Sequence, residues 1–100
     1  MYTMTLEKGL STFLNALSGK NRSTATIRAY QTDISQLIVF LHANNVSIQT
    51  PADVGKVDVV EYLSALAKRE LTGIARARKM SAIREYFRFL ALQRRLFLTS

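Results

Sequence analysis

The last third of the chain carries a line of arginines whose spacing fits the binding of a polyanion. At about 100° of rotation per helical residue, one sector of a helix would hold Ala77, Ser81, Arg84, Arg88 and Arg95. The small side chains would let this helix lie close to a row of phosphates, which the guanidinium groups would bind. The pattern therefore predicts a phosphate-binding face. Alternatively, the arginine stems cover the apolar rim of the helix while their charged ends stay in water.

Three more cations, Arg76, Arg78 and Lys79, crowd the first turns of the same predicted helix. Positive charge is unfavourable at a helix N-terminus, where the backbone dipole is itself positive. Because helix stability alone would not select these residues, we expect a bound anion to offset the repulsion.

A second polar and basic group surrounds the predicted start of an earlier helix. It consists of Lys20, Arg22, Ser23, Thr24, Thr26 and Arg28. Hydroxyl groups, backbone N–H groups and cations at a helix N-terminus together suit one phosphate. The alternative is an ordinary N-cap beside a solvated basic loop.

The net charge of +7 lies entirely in the last third of the chain. Up to Ala67 five basic and five acidic residues cancel, whereas from Lys68 onward nine basic residues face two acidic ones. A positive field focused in this way favours a nucleic acid, or less often an anionic membrane. RNA is disfavoured because most aromatic residues lie on apolar stripes, and a membrane because no exposed apolar face accompanies the basic one. A basic face that serves solubility alone is the remaining alternative.

Few residues offer other chemistry. The chain has no cysteine and one histidine, His42, so no disulfide and no metal site is expected. No Ser-His-Asp set, phosphate-binding loop or carboxylate pair stands out, and we expect no cofactor. Without a long apolar run or a signal peptide, the sequence predicts a cytoplasmic protein.

Four blocks with helical apolar spacing must position these side chains. Their stripes are Leu6, Leu10, Phe13, Leu14 and Leu17; Ile27, Tyr30, Ile34, Leu37, Ile38 and Leu41; Val59, Tyr62, Leu63 and Leu66; and Met80, Ile83, Phe87 and Leu90, flanked by Tyr86. The expected caps are Ser23 or Thr24, Asp58 and Thr72, and the expected ends are Gly19, Asn44 with Asn45, and about Gln93, with a single turn at 50–53. Four amphipathic helices with short links predict one all-α domain, a compact orthogonal four-helix bundle.

Phe89, Leu92, Phe97 and Leu98 point away from the apolar stripe of the last predicted helix. Exposed apolar side chains near one end of a chain indicate a missing neighbour. A protein-interaction or oligomerisation module that uses these residues is therefore the alternative function. They could instead pack beneath the first helix.

Four segments, in this order and at these separations, resemble the N-terminal core-binding domain of tyrosine recombinases, the phage integrase family. The segments are 13–17 (FLNAL), 23–34 (STATIRAYQTDI), 59–63 (VVEYL) and 78–90 (RKMSAIREYFRFL). The resemblance covers nearly the whole chain. It implies a SAM-like four-helix domain that packs against one side of a DNA duplex while a separate catalytic domain takes the other.

The resemblance also implies that the second and fourth helices face the DNA, mostly through its backbone. Carried over by position, the DNA-binding residues are Ser23, Thr24, Thr26, Arg28, Arg76, Lys79, Ser81 and Arg84, and the helical wheel adds Arg88. Family members often carry a threonine near the start of the fourth helix. This chain has Ala75 there and lacks that hydroxyl group.

Family members break and rejoin DNA with a tyrosine nucleophile, two arginines and histidine-type acid–base groups. The resemblance assigns these groups to a catalytic domain expected after Ser100. His42 does not match the family's His-x-x-Arg pattern, because Asn45 stands three places on, and we expect it at the surface. Residues 1–100 are thus expected to be a single DNA-binding domain without enzymatic activity of its own. The expected partners are double-stranded DNA, the catalytic domain and other recombinase subunits on DNA.

Overall fold

The computed structural model describes residues 4–99, apart from the side chains of Phe97 and Thr99. Its helices are α1 (Leu6–Gly19), α2 (Thr24–Asn44), α3 (Lys56–Lys68) and α4 (Gly73–Thr99), with one 3-10 turn at Pro51–Asp53. Across 4–99 there is no β-strand, so the predicted all-α, SAM-like bundle is confirmed. Within the same range no helix combines the length and hydrophobicity needed to cross a membrane.

Helices α2 and α4 lie at the centre of the bundle, and each packs against both α1 and α3. The Cα atoms span 44 × 34 × 16 Å, so the molecule is a flat slab. Outward residues of both central helices are exposed, among them Arg28 of α2 and Arg84 of α4.

The predicted caps of α2 and α4 are confirmed. Ser23 Oγ accepts a hydrogen bond from the Thr26 N–H at 3.1 Å, and Thr72 Oγ1 accepts one from the Ala75 N–H at 3.1 Å. Each hydroxyl satisfies a backbone donor that has no partner inside its helix. The two helices that carry most of the predicted site residues therefore begin at defined positions.

The prediction that Asp58 caps α3 is wrong. The N-cap is Gly55, and Asp58 lies inside the first turn, where its Oδ2 accepts a hydrogen bond from the Gly55 N–H at 2.7 Å. A carboxylate within the first turn satisfies the same kind of donor as a capping residue and also favours the helix dipole. Asp58 thus does mark the start of α3, but it lies inside the first turn and not at the cap.

The other helix ends differ in part from the prediction. Gly19 is still helical, and the left-handed residue that follows is Asn21, with φ of 58°; asparagine tolerates this region better than most residues. Asn45 is the C-cap of α2, as expected. Helix α4 continues past Gln93 to Thr99, because residues 94–98 contain no helix breaker.

The predicted stripes of α1, α2 and α3 form the core, but the stripe of α4 is rotated. Ile83, Tyr86 and Leu90 are buried as predicted and Phe87 packs against the core, whereas Met80, which we placed in the core, is 40% exposed. Lys79 and Ala82 take the inward positions instead. The rotation brings this side of α4 against α2, where a buried carboxylate pairs with Lys79 (described below).

Aromatic rings join α1, α2 and α4 around Phe13. Its ring centroid lies 5.6 Å from that of Tyr30, 5.7 Å from that of Tyr86 and 5.4 Å from that of Phe89. Edge-on and tilted contacts at these distances are favourable beyond the area they bury. Phe89 therefore packs beneath α1, as the alternative interpretation of the C-terminal apolar residues held.

Tyr86 is fully buried, and its hydroxyl group donates a hydrogen bond to the Leu6 carbonyl oxygen at 2.7 Å. Close approach of α1 and α4 depends on Gly9, since a Cβ atom there would lie 2.8 Å from Leu90 Cδ2. Burial also raises the pKa of Tyr86 far above its usual value. Tyr62 is equally buried, yet its hydroxyl group has no hydrogen-bond partner within the described part of the chain.

The two buried tyrosines predict opposite responses to removal of the hydroxyl group. Tyr86→Phe should lower the free energy of unfolding by about 1 kcal/mol, because a buried hydrogen bond is lost. Tyr62→Phe should leave it unchanged or raise it, because an unpaired polar group is removed. Urea denaturation of both variants and the parent chain measures the difference. Equal losses in the two variants would contradict the assigned hydrogen-bonding pattern.

Candidate nucleic-acid interface

The outward face of α4 presents the predicted line of cations to solvent. Ala77, Ser81, Arg84 and Arg88 are all exposed, while Tyr86 and Leu90 on the inner face are buried. The predicted sector is therefore a continuous accessible surface one helix wide. Arg95, about two turns beyond Arg88, is also exposed.

The two arginines in the middle of α4 lie about 40° apart around its outward face and border different neighbours. Arg84 borders Met80 and Leu63 on the side of α3. Arg88 borders Lys20 and Arg22, which belong to the link between α1 and α2. Arg76 is exposed on the α3 side and, like Arg84, lies next to Met80. The cations of α4 thus border both α3 and the link between α1 and α2.

A groove of about 210 Å³ brings Arg88 together with Lys20 and Arg22. Its other lining residues are Phe13, Ala16, Leu17, Glu85, Phe89 and Leu92. In the sequence, the loop cations and the α4 arginines form two separate groups. Helical periodicity reports only the residues of one helix, so no signal in the sequence indicates that Arg22 and Arg88 line the same groove.

Glu85 is the acidic member of this groove. It accepts a hydrogen bond from the Tyr30 hydroxyl group, which ties α4 to α2. Burial, reinforced by this bond and by the Glu85 charge, raises the pKa of Tyr30, whereas the nearby Arg22 charge lowers it. Tyr30 therefore stays protonated at neutral pH and serves as the hydrogen-bond donor between the helices.

The start of α2 places four predicted site residues in different environments. Ser23, Thr24 and Arg28 are exposed, and Thr26 is half-buried. The Ser23 hydroxyl group donates to Thr26 Oγ1 at 2.8 Å while it accepts from the Thr26 N–H. Ser23 is thus occupied by the cap, and Thr24 and Arg28 are the more accessible groups for a ligand.

Lys79, which we predicted as a DNA contact, is buried. Its Nζ atom donates to Asp33 Oδ1 at 2.8 Å and to Gln36 Oε1 at 2.6 Å. Asp33 is itself 1% exposed. A buried ammonium group held by a carboxylate and an amide is not available to a phosphate, so Lys79 is a structural residue here.

Arg78 shares the same carboxylate from the solvent side. Its Nε atom lies 3.2 Å from Asp33 Oδ2 and its Nη2 atom 3.2 Å from Asp33 Oδ1. The repulsion that we expected a bound anion to offset at the start of α4 is thus partly offset by the protein itself, and the anion stays a prediction. Arg78 and Lys79 share a protein carboxylate as their counter-charge, whereas Arg76 forms no ion pair within residues 4–99.

His42 is partly exposed at the end of α2, as expected, and its Nε2 atom lies 2.7 Å from Glu7 Oε1. The hydrogen bond from His42 lowers the pKa of the Glu7 carboxyl group. Within residues 4–99 no three His, Asp or Glu side chains lie close enough together to hold a metal ion. The arrangement of the described residues is suited to binding an anion through exposed cations.

Comparison with known proteins points to one family. The family model described as "Phage integrase, N-terminal SAM-like domain" matches residues 10–94. No solved structure gives a significant match.

Three curated relatives have similar sequences over most of the chain. A tyrosine recombinase of Pseudothermotoga lettingae is 32% identical over 90 residues, which are 87% of this chain and 30% of the relative. The tyrosine recombinase XerC of Roseiflexus castenholzii is 33% identical over 85% of this chain and 27% of its own length. The tyrosine recombinase XerD of Bifidobacterium longum is 34% identical over 67% of this chain and 21% of its own length. The chain thus spans less than a third of the length of these relatives.

The buried ion pair predicts a strong dependence of stability on Asp33. Asp33→Asn should lower the free energy of unfolding by about 3 kcal/mol, because the Lys79 ammonium group is left buried without a counter-charge. The double variant Asp33→Asn/Lys79→Met removes both charges and should recover most of that loss. Urea denaturation of the parent, the two single variants Asp33→Asn and Lys79→Met, and the double variant forms a double-mutant cycle. Strictly additive losses would show that the two side chains do not interact.

Proposed function

The chain belongs to the family of phage integrase N-terminal SAM-like domains, and on that premise we propose that it binds double-stranded DNA. In this proposal it is the core-binding part of a site-specific tyrosine recombinase or integrase. It holds the duplex in position for a separate catalytic domain. The curated relatives, all more than three times as long as the matched segment, carry the name tyrosine recombinase.

The observation that carries the proposal is the exposed cationic surface of α4. Arg84 and Arg88 lie one turn apart on the face opposite the core, with Ser81 beside them. Guanidinium groups bind phosphate oxygens strongly and in a defined geometry. A helix with small residues between its arginines can approach a DNA strand closely enough for these contacts.

Further contacts are proposed from the start of α2 and from the α1–α2 link. Thr24 and Arg28 are exposed in the first turns of α2. The same turns contain the half-buried Thr26 and follow the capping hydroxyl group of Ser23. Lys20 and Arg22 border the same groove as Arg88 and join the surface. Arg76 extends it along α4 towards α3. Lys79 is not part of the proposed surface.

Contacts of this kind orient a protein on DNA and carry little sequence information. Each phosphate that a lysine or arginine neutralises releases a condensed counterion, so affinity falls as salt rises. With four to six phosphates contacted, nonspecific binding is expected at a Kd of about 10⁻⁴ to 10⁻⁶ M at physiological salt.

We further propose that the strand-exchange chemistry resides outside these residues. Tyr62 and Tyr86 are buried, and the Tyr30 hydroxyl group is engaged by Glu85, which leaves none of the three poised to attack a phosphodiester. Other recombinase subunits on the same DNA are proposed as additional partners. A cytoplasmic location, where bacterial DNA lies, follows from the same proposal.

A second candidate function is contact with another protein through the end of α4. Leu92, Leu96 and Leu98 are 50%, 53% and 65% exposed. Phe89, formerly part of this group, is packed against Phe13, and the side chain of Phe97 lies outside the described residues. A helix end that displays several leucines is typical of a surface covered by another protein.

The cationic face predicts a specific loss of DNA binding on charge reversal. We expect Arg84→Glu/Arg88→Glu to weaken binding to a 25-base-pair duplex by at least about tenfold and to make the dependence of log K on log salt less steep by about two. Fluorescence anisotropy at low and near-physiological salt measures both quantities.

The matched control is Lys8→Glu/Lys56→Glu, which changes the net charge by the same amount. Both lysines are exposed in the first turns of α1 and α3, where a glutamate favours the helix dipole. This control should keep the parent salt dependence and lose little affinity. If the parent does not bind even at low salt, or if both double variants bind equally, the proposed function is wrong.

The second candidate function predicts self-association or partner binding through the leucines. Leu92→Gln/Leu96→Gln should abolish any concentration-dependent association of the chain in the absence of DNA, because exposed apolar area is removed. Sedimentation velocity over a hundredfold range of concentration makes this comparison. A parent chain that stays monomeric throughout would exclude association between copies as the role of this surface.

A further inference from the structure

Arg78 occupies a position unlike that of any other cation on the proposed DNA-binding surface. Its side chain is 56% exposed, yet one edge of its guanidinium group is held by two hydrogen bonds to the buried carboxylate of Asp33. The stem therefore lies at the surface while one edge of its planar end is fixed to the interior. Long exposed side chains normally have no such restraint.

The charges around Asp33 do not balance. One carboxylate receives the ammonium group of Lys79 and the guanidinium group of Arg78. Lys79 is buried beside the carboxylate, so that pair alone is already neutral. Arg78 therefore adds one positive charge that Asp33 does not neutralise, and this charge is directed to the solvent.

Arg78 retains donors for a second ligand. A guanidinium group has five N–H donors in one plane. Asp33 accepts from Nε and from Nη2, which leaves one Nη2 hydrogen and both Nη1 hydrogens on the side away from the carboxylate. Three coplanar donors with a fixed orientation match the oxygens of a phosphodiester.

The place of Arg78 in the fold puts these donors on the proposed surface. Contacts between α2 and α4 run in a row, from Asp33 with Arg78 to Tyr30 with Glu85 and on to the groove of Arg22 and Arg88. Arg78 and Arg88 are therefore at the two ends of one seam, about 15 Å apart along the axis of α4. Ser81 follows Arg78 by one turn.

We propose that Arg78 is a pre-organised phosphate anchor, oriented towards the DNA backbone by the buried carboxylate of Asp33. The inference rests on the proposed function. A flexible arginine side chain loses rotamer freedom when it binds a phosphate. Asp33 already restricts the rotamers of Arg78 before DNA binds, so this loss is smaller. Asp33 is then a positioning residue for DNA binding in addition to its role in stability.

The direct test is Arg78→Gln, which removes the charge and leaves the buried pair of Asp33 and Lys79 intact. We expect binding to the 25-base-pair duplex to weaken by about tenfold and the salt dependence of log K to become less steep by about one. The control Arg69→Gln removes the same charge from an exposed position at the end of α3 and should leave the slope unchanged. If the ion pair has a purely structural role, Arg78→Gln should shift the midpoint of urea denaturation and leave the salt dependence of log K unchanged.

A second variant tests the orienting role of Asp33. Asp33→Asn/Lys79→Met leaves the net charge unchanged and weakens the restraint on Arg78, because the neutral amide offers one acceptor oxygen in place of two charged ones. Its affinity should fall by about three- to tenfold with the salt slope preserved, since the number of cations at the surface is the same. Affinity equal to that of the parent, in a chain shown by circular dichroism to be folded, would overturn the proposal.

The outcomes separate this inference from the proposed function. If the parent binds DNA and loses binding on Arg84→Glu/Arg88→Glu, while Arg78→Gln keeps both the Kd and the slope of the parent, the phosphate anchor is refuted and the proposed function stands. If the parent binds no DNA at any salt concentration, both fail.

Discussion

The buried carboxylate of Asp33 is the constraint on which the arrangement of the two central helices depends. A carboxylate that is 1% exposed must be paired, because an isolated charge in the interior is strongly unfavourable. Lys79 supplies the counter-charge from α4, and Gln36 accepts a second hydrogen bond from the same ammonium group. These bonds have a narrow range of distances, so they fix both the rotation of α4 and its position along α2. The apolar contacts around Phe13 and Tyr86 would tolerate more variation.

The rotation of α4 determines which of its cations reach solvent. With Lys79 turned inward, Arg84 and Arg88 necessarily face outward, since they lie about 140° and 180° around the helix from it. The same rotation brings Glu85 against Tyr30 and Phe89 against Phe13. A single buried ion pair thus aligns the inner face with the core and the outer face with the proposed ligand. The orientation of α4 therefore decides both which of its side chains are buried and which of its cations are exposed.

Most of the fold could be predicted from the sequence because amphipathic periodicity and capping residues are local signals. Four helices, the caps Ser23 and Thr72 and the core stripes of α1 to α3 all followed from them. The errors that bear on the candidate site arose where a tertiary contact overrides a local preference, whereas the misplaced cap of α3 and the misplaced helix ends were local errors. Lys79 has the charge of a surface residue, and only the presence of Asp33, 46 positions earlier, explains its burial. Met80 is apolar yet exposed for the same reason. The groove shared by Arg22 and Arg88 likewise depends on a packing arrangement that no single helix encodes.

The slab shape has a consequence for how densely such a domain could occupy DNA. Its shorter edge of 34 Å is close to one turn of B-form DNA, about 34–36 Å, and its longer edge of 44 Å exceeds one turn by about a quarter. In the proposed complex, one copy would have a footprint of roughly one helical turn along the duplex. Because the third dimension is only 16 Å, the slab would cover a single side of the double helix and leave the opposite side of the same base pairs open. Steric exclusion would then act between neighbours along the DNA and not across it.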